Sequence, residues 1–237
     1  MDIIDSPSPN HNKRALPVSI VVMHYTGMTS AEAALERLRD PDAKVSAHYL
    51  IAEDGTVMRL VDEDRRAWHA GRAYWRGIRD VNSASIGIEL ANPGHDHGYL
   101  DFPEPQMAAL ETLLEGILER HDVRPENVIG HSDLAPDRKI DPGEKFPWER
   151  FAAKGLAQPR PETGLDPKWS ERGVLTGLAR FGYETRDPKM AVSAFQRRWR
   201  PAQHDGVIDA ETREILFALL KGWEPSELRL GTEPPRV

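Results

Sequence analysis

The chain has 237 residues, no cysteine and a formal charge of −7, a length that accommodates one large domain or one domain with a small module. Hydrophobic residues at 39% supply a real core, and the acidic balance argues against nucleic acid as the main partner. Without cysteine there is no disulfide scaffold, thiolate nucleophile or Cys-bound zinc, so any metal must rest on His, Asp or Glu.

No run of ~18 apolar residues is present to span a membrane. The opening stretch MDIIDSPSPNHNKR lacks the basic start and apolar core of a secretory signal, which sets the expectation of a cytoplasmic protein. VSIVVMH (18–24) reads as a buried strand, because it is apolar and β-branched. Thr29 is placed to cap a helix over AEAALERLRD, with Glu32 at the capping-box position. YLIAEDGTVMRLVD (49–62) predicts a hairpin with Asp54-Gly55 as a two-residue turn. SIGIEL (85–90) is a further strand. A long helix runs from Glu104 to His121, with Met107, Leu110, Leu114 and Ile117 on one stripe. NVIG (127–130) is a short strand that delivers His131 to its end.

AQPRPETGLDP (157–167) is rich in Pro and Gly and reads as a linker. The 19 basic and 28 acidic residues before position 168 sum to −9, whereas 168–224 carries 10 and 8, or +2. Helices are expected over 173–183, over 188–199 with Val192, Phe195 and Trp199 as the apolar stripe, and over 210–220 behind an Asp209 cap. The expected architecture is an α/β domain over 1–156, a mixed β-sheet flanked by helices. It is joined by the linker 157–167 to a small all-α three-helix domain over 168–224, with a tail at 225–237.

Most of the nine histidines read as ordinary surface or core groups. His95 and His97 form an H-x-H pair in a Gly/Pro loop, with no third ligand nearby in sequence. His24 and His131 differ, because each directly follows an apolar strand, where α/β proteins place their sites. Ten residues beyond His131 comes Asp141, and if 139–141 is extended, Lys139 and Asp141 share a face. Asp141 capping a turn and Lys139 as a solvated charge are the plainer readings. In SIGIEL, Ile86, Ile88 and Leu90 share one face while Gly87 and Glu89 share the other. A carboxylate on a central strand is costly unless paired or working, whereas on an edge strand Glu89 would simply face water.

The stretches VVMHYTGM, VSAHYLIAEDGTV, RAWHAG, NSASIGIELANPG and GHSDLAPDRKIDPGEKFPW resemble zinc-dependent N-acetylmuramoyl-L-alanine amidases of the type-2 amidase family. The resemblance covers nearly all of 7–155, in order and with compatible spacing, and is closer to the bacterial branch that includes lipoprotein and cytoplasmic 1,6-anhydro-muropeptide amidases than to the phage lysozyme-like branch. It implies one Zn²⁺ per chain held by His24, His131 and Asp141, with Glu89 and Lys139 as catalytic groups. Trp68, His69 and Asn82 lie in family-like motifs and are candidates for holding substrate. Arg79 is either a partner for a stem-peptide carboxylate or an exposed charge without a role, and His48 reads as a structural ring beneath the site. Asp137 departs from the family pattern, where Gly is common before the Arg-Lys pair. The segment 168–220 resembles the three-helix peptidoglycan-binding module appended to cell-wall hydrolases.

The implied function is cleavage of the bond between N-acetylmuramic acid and L-alanine in peptidoglycan fragments, with anhydro-muropeptides as the partner molecules in wall recycling. An exported amidase acting on intact peptidoglycan and a non-catalytic recognition protein are the alternatives. No residue pattern specifies an oligomeric state.

Overall fold

The structure, a computed structural model, describes residues 2–222. In chain order it contains β1 (Ile3–Asp5), β2 (His11–Lys13), β3 (Ile20–Tyr25), α1 (Ala31–Arg39), β4 (Tyr49–Ile51), β5 (Val57–Arg59) and β6 (Arg65–Ala67). There follow α2 (Val81–Ala84), β7 (Ser85–Leu90), α3 (Glu104–His121), β8 (Val128–Gly130), α4 (His131–Leu134) and α5 (Trp148–Ala153). Three helices end the described chain: α6 (Glu171–Phe181), α7 (Pro188–Trp199) and α8 (Ala210–Lys221). The expected tail, 225–237, and positions 223–224 lie outside the described residues.

Six strands build one mixed sheet in the order β1-β5-β4-β7-β3-β8, and β2 and β6 pair as a small antiparallel ribbon. Only the β4–β5 hairpin is antiparallel within the large sheet. Its connection has three residues, 53–55, and not two: Ala52 N–H donates to Thr56 O across the loop, and Gly55 takes the left-handed φ of +88° that such a loop requires. The cap of α1 is Ser30, whose Oγ accepts from Ala33 N–H, so the capping position falls one residue beyond Thr29.

Strand alternation sorts the sheet into two faces. Val21 and Met23 of β3 and Ile86, Ile88 and Leu90 of β7 join the α3 stripe of Met107, Leu110, Leu114 and Ile117 in one buried cluster. Ile20, Val22 and Ile129 belong to the opposite face. They share a second cluster with Leu134, Trp75 and residues of the last three helices, among them Val174, Phe181, Phe195, Trp199 and Leu216. Full burial of each large side chain contributes roughly 1.5–3 kcal/mol, so α6–α8 are held to the sheet by a common core. The expected linker has no regular structure, yet it is strapped down: Arg160 Nε donates to Trp199 O, and Arg213 pairs with Asp166.

A buried polar joint completes this contact. Tyr183 Oη donates to Asp133 Oδ1 at 2.5 Å, and Arg198 Nη1 donates to Asp133 Oδ2 at 3.2 Å and to Val128 O at 3.0 Å. The Arg198 guanidinium also lies over the Trp148 ring, 4.0 Å from its centroid. Asp133 sits two residues after His131, so the helical segment grips the turn that carries that histidine.

Candidate metal and catalytic site

β3 and β7 are neighbours in the middle of the sheet, with His24 directly opposite Glu89. Both point away from α3, because the alternating apolar positions of the two strands fill that side. The central place of β7 removes the edge-strand reading of Glu89. β8 pairs with β3 so that Gly130 faces Met23, which lands the next residue, His131, beside His24. His131 opens the short helix α4 instead of ending the strand. Ser132 N–H then donates to Asp141 O at 2.9 Å, drawing the later loop back over the strand ends.

His24, His131 and Asp141 are all buried, and their ligand atoms lie within 4.8 Å of one another. Asp141 Oδ2 stands 2.9 Å from His24 Nδ1 and 3.0 Å from His131 Nδ1. Burial, with the charge of His131 beside it, pushes the His24 imidazole down to about 4, so it is neutral near pH 7. Burial alone would raise Asp141, but the two imidazoles beside it, His131 and His24, outweigh burial and hold the carboxyl well below the usual range. His131 Nε2 lies 3.2 Å from Ala70 O, which can only accept, so a neutral His131 carries its proton there and turns a bare Nδ1 toward Asp141. A ring lone pair facing a carboxylate asks for a cation between them. Tetrahedral zinc with bonds of about 2.0–2.1 Å needs ligand atoms roughly 3.3 Å apart. Donor type, burial and spacing therefore fit a zinc-sized ion.

Glu89 is half-buried, and its Oε2 is fully shielded without a hydrogen-bond partner among the described residues. Burial first, and the charge of Asp141 second, raise its carboxyl well above the usual range, while Lys139 opposes them. Glu89, Lys139, Trp68 and His69 line one cleft of about 470 Å³ together with the three ligand candidates.

The remaining substrate candidates lie elsewhere. Asn82 is buried, and its Oδ1 accepts from His69 N–H at 3.0 Å and Ala70 N–H at 2.8 Å, so it shapes the segment beneath the cleft. Arg79 is exposed, with its guanidinium over the Tyr74 ring, and does not line the cleft. His48 is buried under the site, where its Nδ1 accepts from Gly87 N–H. His95 meets Tyr25 Oη and Glu144; among the described residues the only grouping suited to a metal is His24, His131 and Asp141. Asp137 pairs with Arg72 at the surface.

Sequence reasoning passed over Tyr25, Arg37 and Arg138, which also line the cleft. Tyr25 and Arg138 directly adjoin His24 and Lys139, and that adjacency was the available signal. Arg138 donates to the carbonyls of Ala70 and Arg72 and so clamps the opposite wall. Arg37, on the exposed side of α1, carried none.

Residues 14–144 match the family model described as N-acetylmuramoyl-L-alanine amidase. The chain is 35% identical over 235 residues to N-acetylmuramoyl-L-alanine amidase AmiD of Escherichia coli (strain K12), covering 86% of this chain and 83% of AmiD. The solved complex of AmiD with anhydro-N-acetylmuramic acid-L-Ala-D-gamma-Glu-L-Lys matches with a TM-score of 0.77 at 33% identity, over 90% of this chain and 93% of that one. AMPDH3 of Pseudomonas aeruginosa, in complex with anhydromuramic pentapeptide, matches with a TM-score of 0.79 at 31% identity, over 91% and 94%. The 1,6-anhydro-N-acetylmuramyl-L-alanine amidase AmpD of Citrobacter freundii is 41% identical over 166 residues, 62% of this chain and 87% of AmpD. With more than half of its length inside the family model and a relative matched along most of both chains, this chain belongs to the N-acetylmuramoyl-L-alanine amidase family.

Proposed function

We propose that the chain hydrolyses the amide bond between 1,6-anhydro-N-acetylmuramic acid and L-alanine in peptidoglycan fragments, using one zinc ion held by His24, His131 and Asp141. The observation that carries this reading is the convergence of three buried side chains suited to a metal, with Glu89, whose Oε2 has no partner among the described residues, on the adjoining strand. The bound anhydromuramyl peptides of AmiD and AMPDH3 support the choice of substrate.

Zinc held by His24, His131 and Asp141 would keep a net positive charge and would supply Lewis acidity at neutral pH. Glu89 takes the proton of the water that attacks the amide carbon and returns it to the departing alanine nitrogen. Positive charge nearby, from Lys139 and from an occupied metal site, pulls Glu89 toward the ionised form this requires. The Lys139 ammonium donates to the oxygen that becomes negative as the carbonyl turns tetrahedral. Trp68, which lines the cleft, is the seat for the rigid bicyclic sugar, which loses less freedom on binding than the single ring of the reducing form.

We further read α6–α8 as a peptidoglycan-binding-like module, and its resemblance to wall-binding helices favours a second reading, action on intact wall. Product analysis on purified anhydro-muropeptides, the same peptides on reducing muramic acid, and intact sacculi separates these. The expected result is release from the anhydro form at least ten-fold faster, about 1.4 kcal/mol, than from the reducing form, with little from sacculi. Comparable release from sacculi would assign the enzyme to the polymer, and no release from any of the three would leave a recognition protein.

A further inference from the structure

The orientation of the His24 ring has a source outside the metal ligands. Ser85 Oγ lies 2.6 Å from Val81 O. A carbonyl only accepts, so the one serine proton is spent there and Ser85 Oγ accepts on its other side. That side faces His69 Nε2 at 3.1 Å, which must therefore carry the ring proton. Neutral His69 is then bare at Nδ1, and Nδ1 lies 3.0 Å from His24 Nε2. His24 must donate from Nε2 and is left with a bare Nδ1, the atom that faces Asp141.

We infer that His69 and Ser85 are positioning residues that fix His24 as its Nε2–H tautomer, so that Nδ1 is presented to zinc before the ion arrives. The inference rests on the metal site proposed above. His69 lies in the cleft wall, but its contact with His24 sets its role. The relay ends on backbone at Val81 O, and the Asn82 side-chain oxygen holds the His69 segment by accepting from His69 N–H. β7 makes room for it, since Gly87 lies under the His69 ring and a Cβ at that position would overlap the ring. The second histidine is fixed the same way in a single step, through Ala70 O. Hydrogen-bond partners of metal-bound imidazoles typically govern metal affinity by 10–100-fold.

The test is zinc affinity by chelator competition, with melting temperatures measured alongside, for the full chain and for His69→Phe, His69→Asn, Ser85→Ala and the Ser85→Ala/His69→Asn pair. His69→Phe removes the acceptor, and zinc is expected to bind at least ten-fold more weakly. His69→Asn places an amide oxygen near the lost Nδ1, and affinity within about three-fold of the parent is expected. Ser85→Ala should weaken binding when His69 is present and change nothing in the His69→Asn background, because serine acts only through the His69 tautomer. That comparison stands even where His69→Phe fails to fold. In ¹⁵N-histidine spectra of the metal-free chain, His24 should carry its proton on Nε2. Unchanged zinc affinity in both His69→Phe and Ser85→Ala, or an Nδ1–H tautomer of His24 in the metal-free chain, would overturn the relay and leave the amidase reading intact. A parent chain that binds no zinc would overturn both.

Discussion

Glu89 faces the cleft with one shielded, unpaired carboxylate oxygen, and this sets what its replacement does. Glu89→Gln resembles the protonated acid that burial already favours. A carboxyl raised in the folded state stabilises the fold below its unfolded value near pH 4.5 and loses that contribution as pH rises through the folded value. At pH 7 the metal-free Glu89→Gln variant should therefore melt no lower than its parent. Its turnover should fall by ~10²–10⁴ because the proton carrier is gone, with zinc still bound. Normal turnover would remove Glu89 from the chemistry. Glu63 runs the opposite way. Burial would raise it, but hydrogen bonds from Arg120, Tyr49 and His121 hold it down at about 2. A depressed carboxyl stabilises the fold above its unfolded value and loses that stabilisation as pH falls through the folded one. Glu63→Gln should thus lower the melting temperature at pH 7, and the gap to the parent should close between about pH 4.5 and 2.

At the scale of elements, β7 shows how much one strand can specify. Its odd-numbered residues contact His69 (Ser85), clear space for its ring (Gly87) and face His24 (Glu89), while its even-numbered residues fill the core. That two-residue alternation was legible in SIGIEL, as was the 104–121 stripe, because both bury one continuous apolar face. β1, β2 and β6 were not, since three-residue strands such as HNK and RRA carry no apolar alternation and owe their form to pairing. Local alternatives of equal chemistry were the other blind spot. Thr29 and Ser30 both suit a helix cap, and backbone geometry chose Ser30. Ser30→Ala should cost about 1 kcal/mol in a denaturant titration, and Thr29→Ala only a few tenths. Equal losses would mean that both hydroxyls support the helix start. In the site, the strand-end places of His24 and His131 were legible from the apolar runs before them, whereas their grouping with Asp141 was implied by the family resemblance; the structure brings the three side chains together. The cleft wall contributed by Arg37 was not legible, because α1 meets the site only through tertiary packing.

Across the whole molecule, the last three helices meet the turn that carries His131 through Asp133. A Pro-rich stretch suggests separable modules, yet Arg160 and Asp166 pin that stretch down, and the apolar cluster runs from Ile20 and Val22 into Phe195 and Trp199. Asp133 and Arg198 are both nearly inaccessible, with 1% and 5% of their side chains exposed. Removing one partner of such a pair leaves a buried charge and typically costs 3–5 kcal/mol. Arg198→Met should cost toward the lower end, because Asp133 keeps hydrogen bonds from Tyr183 and Gly130 N–H. Adding Asp133→Asn should recover part of the loss, since the unpaired charge is then gone. Deleting 158–237 removes Arg198 and Tyr183 together and bares the sheet face built from Ile20, Val22 and Ile129. Thermal stability, zinc affinity and activity on soluble muropeptides should therefore fall together, zinc affinity included because Asp133 shapes the turn that presents His131. Calorimetry and chelator competition on the truncated and full chains check this. A truncated protein that melts with its parent and cuts soluble fragments at the parental rate would show that the sheet holds its site alone and the helices serve only to bind.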